Sequence, residues 1–214
     1  MFVADWMTRQ VVTVVPDDSV ARAMHLMLER GVKHLPVVRD GAVVGVISDR
    51  DIRAYTPSKA TALDIYEINY LLAKATVKDA RGARLTTTTP DTPIETAALA
   101  LLENAIGCLP VVEGGVLIGI IADEDIFRAL VDITGVRHGG HRVCLTVADR
   151  PGSIREVTDL IRSHGFHLHG ILTSYEKMPQ GSRRVVIRTG TEGDFNALRA
   201  ELEKAYASVR ITSG

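Results

Sequence analysis

Two short segments carry the residue types from which a site for an anion is made. Ser48-Asp49-Arg50-Asp51 sets a hydroxyl, a cation and two carboxylates within one turn of chain. Phosphate takes hydroxyl, backbone N–H and cationic partners, and the start of a helix at Asp49 would add free N–H groups. Ala122-Asp123-Glu124-Asp125 repeats the acidic frame but lacks the hydroxyl and places Glu124 where a phosphate would be repelled. Arg81 and Arg84 lie in the loop Arg81-Gly82-Ala83-Arg84, which reads equally as a holder of a polyphosphate tail or as a solvated loop. His164, His167 and His169 invite a metal reading, with 167 and 169 on one strand face, but no carboxylate or cysteine completes a ligand set, and no metal is expected. Cys108 reads as a small apolar residue rather than a nucleophile. The sequence contains no G-x-G-x-x-G, P-loop, G-x-S-x-G or H-E-x-x-H, so the chain reads as non-catalytic.

The two segments are copies of each other. An ungapped offset of 74 aligns residues 3–55 with 77–129, and 18 of these 53 positions are identical. Each copy predicts a β-run (11–15 or 85–89) ending at Pro-Asp, with Asp17 or Asp91 placed to cap the next helix. Val20, Ala23, Met24, Met27 and Leu28, and then Ile94, Ala97, Ala98, Leu101 and Leu102, fall at helical spacing and predict one buried face. Two β-runs follow: Leu35–Val38 and Val43–Ser48 in copy one, Leu109–Val112 and Val116–Ala122 in copy two. A helix led by Asp49 or Asp123 closes each copy. One such β-α-β-β-α unit buries little surface alone, so the expectation is a pseudo-symmetric pair packed sheet to sheet. Residues 63–74, with Leu63, Ile65, Tyr66, Tyr70 and Leu71, predict a joining helix that packs or forms dimer surface.

The duplicated LPVV strands and the G-h-h-[ST]-x-x-D element, Gly45–Asp51 and Gly119–Asp125, resemble a tandem CBS-domain pair, a Bateman module. The resemblance covers about residues 1–135 and implies a nucleotide cleft shared between the copies. It implies one site from Val46, Ser48, Arg50 and Asp51 opposite Ala83, Ile106, Gly107 and Cys108. Asp51 there would accept the two vicinal hydroxyls of a ribose, and Ser48 and Arg50 would face phosphate. The mirror site would use Ile120, Ala122 and Asp125 opposite Arg9, Val32, Lys33 and His34, and is the weaker of the two. Lys33 and His34 would serve either ligand. Asp51 as a plain helix cap and Ser48 as an ordinary strand-end hydroxyl is the bland alternative. The implied mechanism has nucleotide phosphates relieving repulsion among Lys33, His34 and Arg50, and so changing the angle at Gly135–Gly140.

The last third differs in charge. Residues 1–140 carry 14 basic and 18 acidic side chains, while 141–214 carry 11 and 8. After a linker at 135–140, the strand 142–147, a helix with Ile154, Val157, Leu160 and Ile161, the strands 166–173 and 183–188, a helix at about 193–205 and the strand 208–212 predict a ferredoxin-like β-α-β-β-α-β order. Asp149-Arg150-Pro151-Gly152-Ser153-Ile154 resembles the D-x-P-G-x-[IL] turn of ACT domains, and Gly165-Phe166-His167-Leu168 their G-h-N-h element, with His167 in place of the usual Asn. Asp149, Pro151, Gly152, Ser153 and His167 are therefore candidate ligand or interface residues of that domain. The whole order resembles AcuB-type acetoin-utilisation regulatory proteins. The expected division is repeat one at 1–60, a linker helix at 61–76, repeat two at 77–134, a linker at 135–140 and an ACT-like domain at 141–214.

Composition bounds the function classes. The chain has 214 residues, 46% of them apolar, 24% charged and 5% aromatic, with net charge −1. That excludes a disordered chain, and argues against a dedicated nucleic-acid or anionic-membrane binder while leaving room for a local basic patch. No apolar run approaches the ~18 residues of a membrane span, and the N-terminus has no signal-peptide pattern, so a cytoplasmic protein is expected. The reading is an α/β regulatory homodimer that senses AMP, ADP, ATP or an S-adenosylmethionine-like ligand and signals to an unknown target protein. A ligand-free dimeric adaptor and an amino-acid sensor through the ACT-like domain are the alternatives, which calorimetric titration with nucleotides separates.

Overall fold

The computed structural model describes residues 1–55, 72–81 and 85–213. Contacts divide the chain into two units, Met1–Phe127 and Arg128–Gly214. Residues 56–71 and Gly82, Ala83 and Arg84 lie outside the described residues, and with them Leu63, Ile65, Tyr66, Tyr70 and Leu71 of the expected joining helix.

In the first unit, repeat one runs through α1 (Val3–Trp6), α2 (Val20–Arg30), the hairpin β1 (His34–Arg39) and β2 (Ala42–Ser48), and α3 (Asp49–Tyr55). Repeat two follows as α4 (Val77–Ala80), α5 (Ile94–Asn104), β3 (Cys108–Glu113), β4 (Val116–Ala122) and α6 (Asp123–Ile133), a helix that runs past the end of the first unit at Phe127. The two hairpins do not stack as separate sheets. They join edge to edge in one four-stranded sheet, order β1-β2-β4-β3, through the single pair Ala42↔Val116. The register is duplicated as faithfully as the sequence: Leu35 faces Ile47 as Leu109 faces Ile121, and both hairpins carry an irregularity between the two valines of their first strand, Val37/Val38 and Val111/Val112.

The predicted leading strands shrink to one parallel bridge each, Val14↔Val37 and Thr88↔Val111. Proline is the reason. Val14 N–H donates to the Pro36 carbonyl and Val38 N–H to the Val14 carbonyl. Extending that parallel ladder either way would require an N–H from Pro36 or from Pro16, and neither has one. Pro110 and Pro90 impose the same limit in repeat two.

Helix caps also differ from expectation. Ser19, not Asp17, caps α2 by accepting from Arg22 N–H at 3.2 Å, while Asp17 meets Lys78 Nζ at 2.9 Å. In repeat two Pro93 stands at the cap position of α5, with no side-chain bond from Asp91. The helices begin too far beyond Asp17 and Asp91 for their carboxylates to reach the first turn. The buried stripe is also narrower than predicted. Val20, Ala23 and Met27 of α2 and Ile94, Ala97 and Leu101 of α5 are buried, but Met24, Leu28 and Leu102 are exposed.

The two repeats exchange their leading turns. Val3 and Ala4 N–H groups donate to the carbonyls of Thr92 and Pro90 in repeat two, and Val77 and Lys78 donate to those of Asp18 and Pro16 in repeat one. Leu72, Ala75 and Val77 accordingly pack in one core with Val20, Ala23, Leu35, Val37 and Ile47. Asp5 and Asp79 each turn a carboxylate back to the N–H three residues earlier, of Phe2 and Thr76.

The second unit contains β5 (His141–Ala148), α7 (Ser153–Ser163), β6 (Leu168–Ser174), β7 (Ser182–Thr189), α8 (Phe195–Ala205) and β8 (Val209–Ser213). All pairings are antiparallel, and the sheet order is β6-β7-β5-β8. Element order and sheet order together make the ferredoxin-like arrangement. Val143, Leu145, Val147, Val185 and Ile187 of the sheet pack against Val157, Ile161, Leu198 and Leu202 of the helices. Phe166, expected to open a strand, is a core residue ahead of β6, which is irregular between Leu168 and Gly170. A short 3-10 turn, Val136–His138, occupies the expected linker.

Candidate functional site

The junction of β2 and α3 is built from local hydrogen bonds. Asp51 Oδ2 accepts from the Ser48 N–H at 2.8 Å and from the Ser48 hydroxyl at 2.6 Å, while Asp51 N–H donates back to Ser48 Oγ at 3.1 Å. This box starts α3 and fixes the carboxylate. Both bonds reach Oδ2, which leaves Oδ1 for another donor. It also commits the Ser48 hydroxyl proton, so Ser48 orients Asp51 rather than standing as a free phosphate donor. The bland capping role is real, and it is compatible with a carboxylate aimed at a ligand.

Around this junction lies a cavity of about 440 Å³. It brings together Lys33, His34, Val46, Ser48, Arg50 and Asp51 of repeat one and Ile106, Gly107 and Cys108 of repeat two. These are nine of the ten residues named for the first site; Ala83 lies outside the described residues. Thr86 and Ala105, which the sequence did not single out, also line it, as do Asp49 and Asp123, expected only as helix starts. The signal for Asp49 and Asp123 was the pseudo-symmetry: each opens a helix, and each donates its N–H to the residue before the apolar strand, Lys33 or Gly107.

The wall between repeats is close-packed. A Cβ on Gly107 would sit 2.6 Å from His34 Nε2, so the imidazole lies over a position where a side chain is missing. Burial pushes the His34 pKa below its ordinary value; the carboxylates of Asp123, Asp49 and Asp51 oppose that shift, and Lys33 adds to it slightly. At His34, repulsion by Lys33 is thus the smallest influence, behind desolvation and three opposing carboxylates. Cys108 is buried and its thiol is pushed up to about 12, first by desolvation and then by Asp123 and Asp51. It is no nucleophile.

Arg81 is likewise corrected. Its guanidinium lies over Gly45, where a Cβ would be 2.6 Å from Nη1, and donates to the Val44 carbonyl at 2.9 Å. It braces β2 rather than reaching for a phosphate tail. Met7 occupies the equivalent place over Gly119.

The mirror set is assembled differently. Asp125 Oδ2 accepts the Ala122 N–H at 2.8 Å, as Asp51 does from Ser48, but Asp125 is only 4% exposed. Thr8 pairs with Ile120, which brings Arg9 alongside, yet Arg9 Nη2 bonds the Ala4 carbonyl at 3.3 Å. Val32 packs against the core of repeat one.

In the second unit, Asp149 and Ser153 meet at Arg183, whose Nη2 donates to Ser153 Oγ at 2.9 Å and whose Nε lies 3.6 Å from Asp149 Oδ1. Gly152, at φ 87°, turns the chain into α7 after Pro151. His167 is not part of this group; its N–H donates to Glu192 Oε1 at 2.8 Å. His169 stacks edge-on to His138, and His164 contacts Glu201, so the three histidines do not converge. Among the described residues no three metal-ligating side chains cluster.

Two α/β repeats that exchange their leading turns beside a polar cavity define a pseudo-symmetric pair. The CBS domain family matches residues 3–58 and 77–132, more than half of the chain, and the chain belongs to that family as a tandem pair. Homoserine O-acetyltransferase of Methanococcoides burtonii is 37% identical over 130 residues, which are 60% of this chain and 24% of that protein. The chain thus spans about a quarter of that enzyme. A Vibrio cholerae protein assigned to acetoin utilization (AcuB) is 27% identical, with a TM-score of 0.53 over 64% of this chain and 95% of that one. CBSX2, solved in complex with AMP, is 35% identical, with a TM-score of 0.50 over 62% and 97%. No described helix is long and apolar enough to cross a membrane.

Proposed function

We propose that this chain is a non-catalytic, cytoplasmic regulatory protein that senses an adenine nucleotide, or a related ligand such as S-adenosylmethionine, between its two CBS repeats. The observation that carries the reading is the cavity beside Asp51, where a fixed carboxylate, the cations Lys33 and Arg50 and the apolar Val46 and Ile106 face one space. The ribose hydroxyls donate to Asp51 Oδ1, phosphate lies toward Arg50 and Lys33, and the base enters the slot before the second LPVV strand, at Ile106–Cys108. A phosphate there also stabilises protonated His34. AMP bound to CBSX2, a relative at 35% identity, supports the ligand class.

Repeat one at 1–60 and repeat two at 77–134 form the sensor, and 141–214 is an ACT-like domain that passes the signal to a target protein. The AcuB likeness supports a place in acetoin or related carbon metabolism. Exposed Leu28 and its repeat mate Leu102, 76% and 78% accessible, support homodimerisation through α2 and α5.

Calorimetric titration with AMP, ADP, ATP and S-adenosylmethionine tests the reading, repeated on Asp51→Ala. Saturable binding by one ligand, weakened about tenfold or more in the variant, is expected from the loss of a charged hydrogen-bond acceptor. No binding by any of the four would leave the pair as a ligand-free dimeric adaptor.

A further inference from the structure

The segment from His141 to Ser213 contains nine arginines. Five are matched with acceptors: Arg150 with Glu156, Arg155 and Arg162 with Asp159, Arg199 with Glu203, and Arg183 with Asp149 and Ser153. The other four, Arg142, Arg184, Arg188 and Arg210, make no ion pair or side-chain hydrogen bond among the described residues.

All four lie on one face of the second sheet. Alternation puts Val143, Leu145 and Val147 of β5 against the helices, so Arg142, Cys144 and Thr146 point the other way. Register then aligns Arg188 with Arg142, Arg184 with Thr146, and Arg210 with Cys144. Strands lie ~4.8 Å apart, so Arg184 and Arg210 flank β5 from its two sides. Between them is a trough of about 350 Å³ lined by Arg142, Cys144, Thr146, Arg184, Ser208 and Arg210.

Nothing in the sheet balances this charge. β5, β6, β7 and β8 contain no Asp or Glu. Arg142 and Arg188 stand directly opposite each other, an arrangement that disfavours the bare sheet. A second copy laid on this face about a two-fold axis would add arginine to arginine. The complement is an anion, and Arg142, Arg184 and Arg210 converge on a trough of small-ligand size, while Arg188 is buried beside it and does not line it.

We propose that the open face of the second sheet is a binding site for a compact polyanion bearing two or more phosphate or carboxylate groups. Arg184 and Arg210 grip it from either side of β5, Arg142 holds one end, and the Thr146 and Ser208 hydroxyls donate to its oxygens. This site is separate from the cavity beside Asp51, and stands whether or not that cavity binds a nucleotide.

The test uses the full chain, with inorganic tripolyphosphate and citrate as probes for the two anion chemistries. Saturable calorimetric binding of one of them is expected, falling about tenfold or more in Arg184→Ala/Arg210→Ala. Asp51→Ala should leave it unchanged, which separates this site from the nucleotide reading. The unaltered protein gives a second readout. Cys144 lines the trough, whereas Cys108 is buried with its thiol pushed up to about 12, so iodoacetamide reports on Cys144. The bound anion should slow that alkylation several-fold. The proposal fails if neither probe binds, if the double variant binds equally well, or if Cys144 reacts at the same rate at saturation. A short single-stranded RNA that binds more tightly than both probes through the same arginines would overturn the small-anion class.

Discussion

The two repeats share a scaffold and differ in what they offer a ligand. Leu35 and Leu109, Ile47 and Ile121, and Val3 and Val77 are equally buried, and the hairpins keep one register. At the cleft the equivalences stop: Ser48 against Ala122, Arg50 against Glu124, Lys33-His34 against Gly107-Cys108, and Arg81 against Met7. Duplication preserved the apolar positions that define the fold and the junction carboxylates Asp49/Asp123 and Asp51/Asp125, while the other polar positions of the cleft diverged. One junction is left open beside a partly exposed Asp51, and its mate is sealed over Asp125. The lesson is that a pseudo-two-fold axis predicts backbone well and chemistry poorly.

That contrast can be broken at either end. If the scaffolds are equivalent, Leu35→Ala and Leu109→Ala should each cost about 2–5 kcal/mol in urea denaturation. A near-neutral result for one alone would show that the cores are not equivalent. If the chemistry is one-sided, Asp51→Ala should weaken AMP binding by about 1.5–3 kcal/mol in calorimetry. Asp125→Ala should leave the affinity nearly unchanged and cost about 1 kcal/mol of stability through its lost cap. Equal loss of affinity in the two would make both junctions binding sites. Gly45→Ala displaces Arg81 from the Val44 carbonyl, at a cost of about 1 kcal/mol. That cost should disappear in an Arg81→Ala background, and its persistence would place the strain elsewhere.

The smallest effect concerns pH. His34 has its pKa lowered from 6.5 by burial, so the unfolded chain takes the proton more readily than the native one. The contribution of neutral His34 to stability is complete above pH 6.5 and declines as pH falls below it. In His34→Gln, urea denaturation over that acidic range should show a shallower loss; an unchanged slope would assign it to other groups.

Much of this was legible because the repeat could be read twice. Positions that are apolar in both copies, such as Leu35/Leu109, are core, and the residues implied by the CBS resemblance include nine that line one cavity. What escaped depended on partners distant in sequence. Arg81 read equally as a phosphate holder or a solvated loop residue, because nothing local shows that Gly45 leaves room for it against β2. Met24 and Leu28 fit the helical stripe, yet they fall beyond the arc that the hairpin covers. The leading strands are short for a reason visible in the sequence: prolines at 16, 36, 90 and 110 limit each to one bridge. In the second unit the β-α-β-β-α-β order was readable, but the arginine face emerged only once the register of β5, β7 and β8 was set.

The exchanged leading turns have a consequence for how the chain acquires its shape. Val3 must find Thr92, and repeat one cannot close its core until Leu72, Ala75 and Val77 have been made. During synthesis the first repeat therefore waits, incomplete, until part of the second has left the ribosome, and the two then close together. Long-range closure of this kind slows folding. It also makes the pair a single folding unit, so that loss of core packing in either repeat destabilises both.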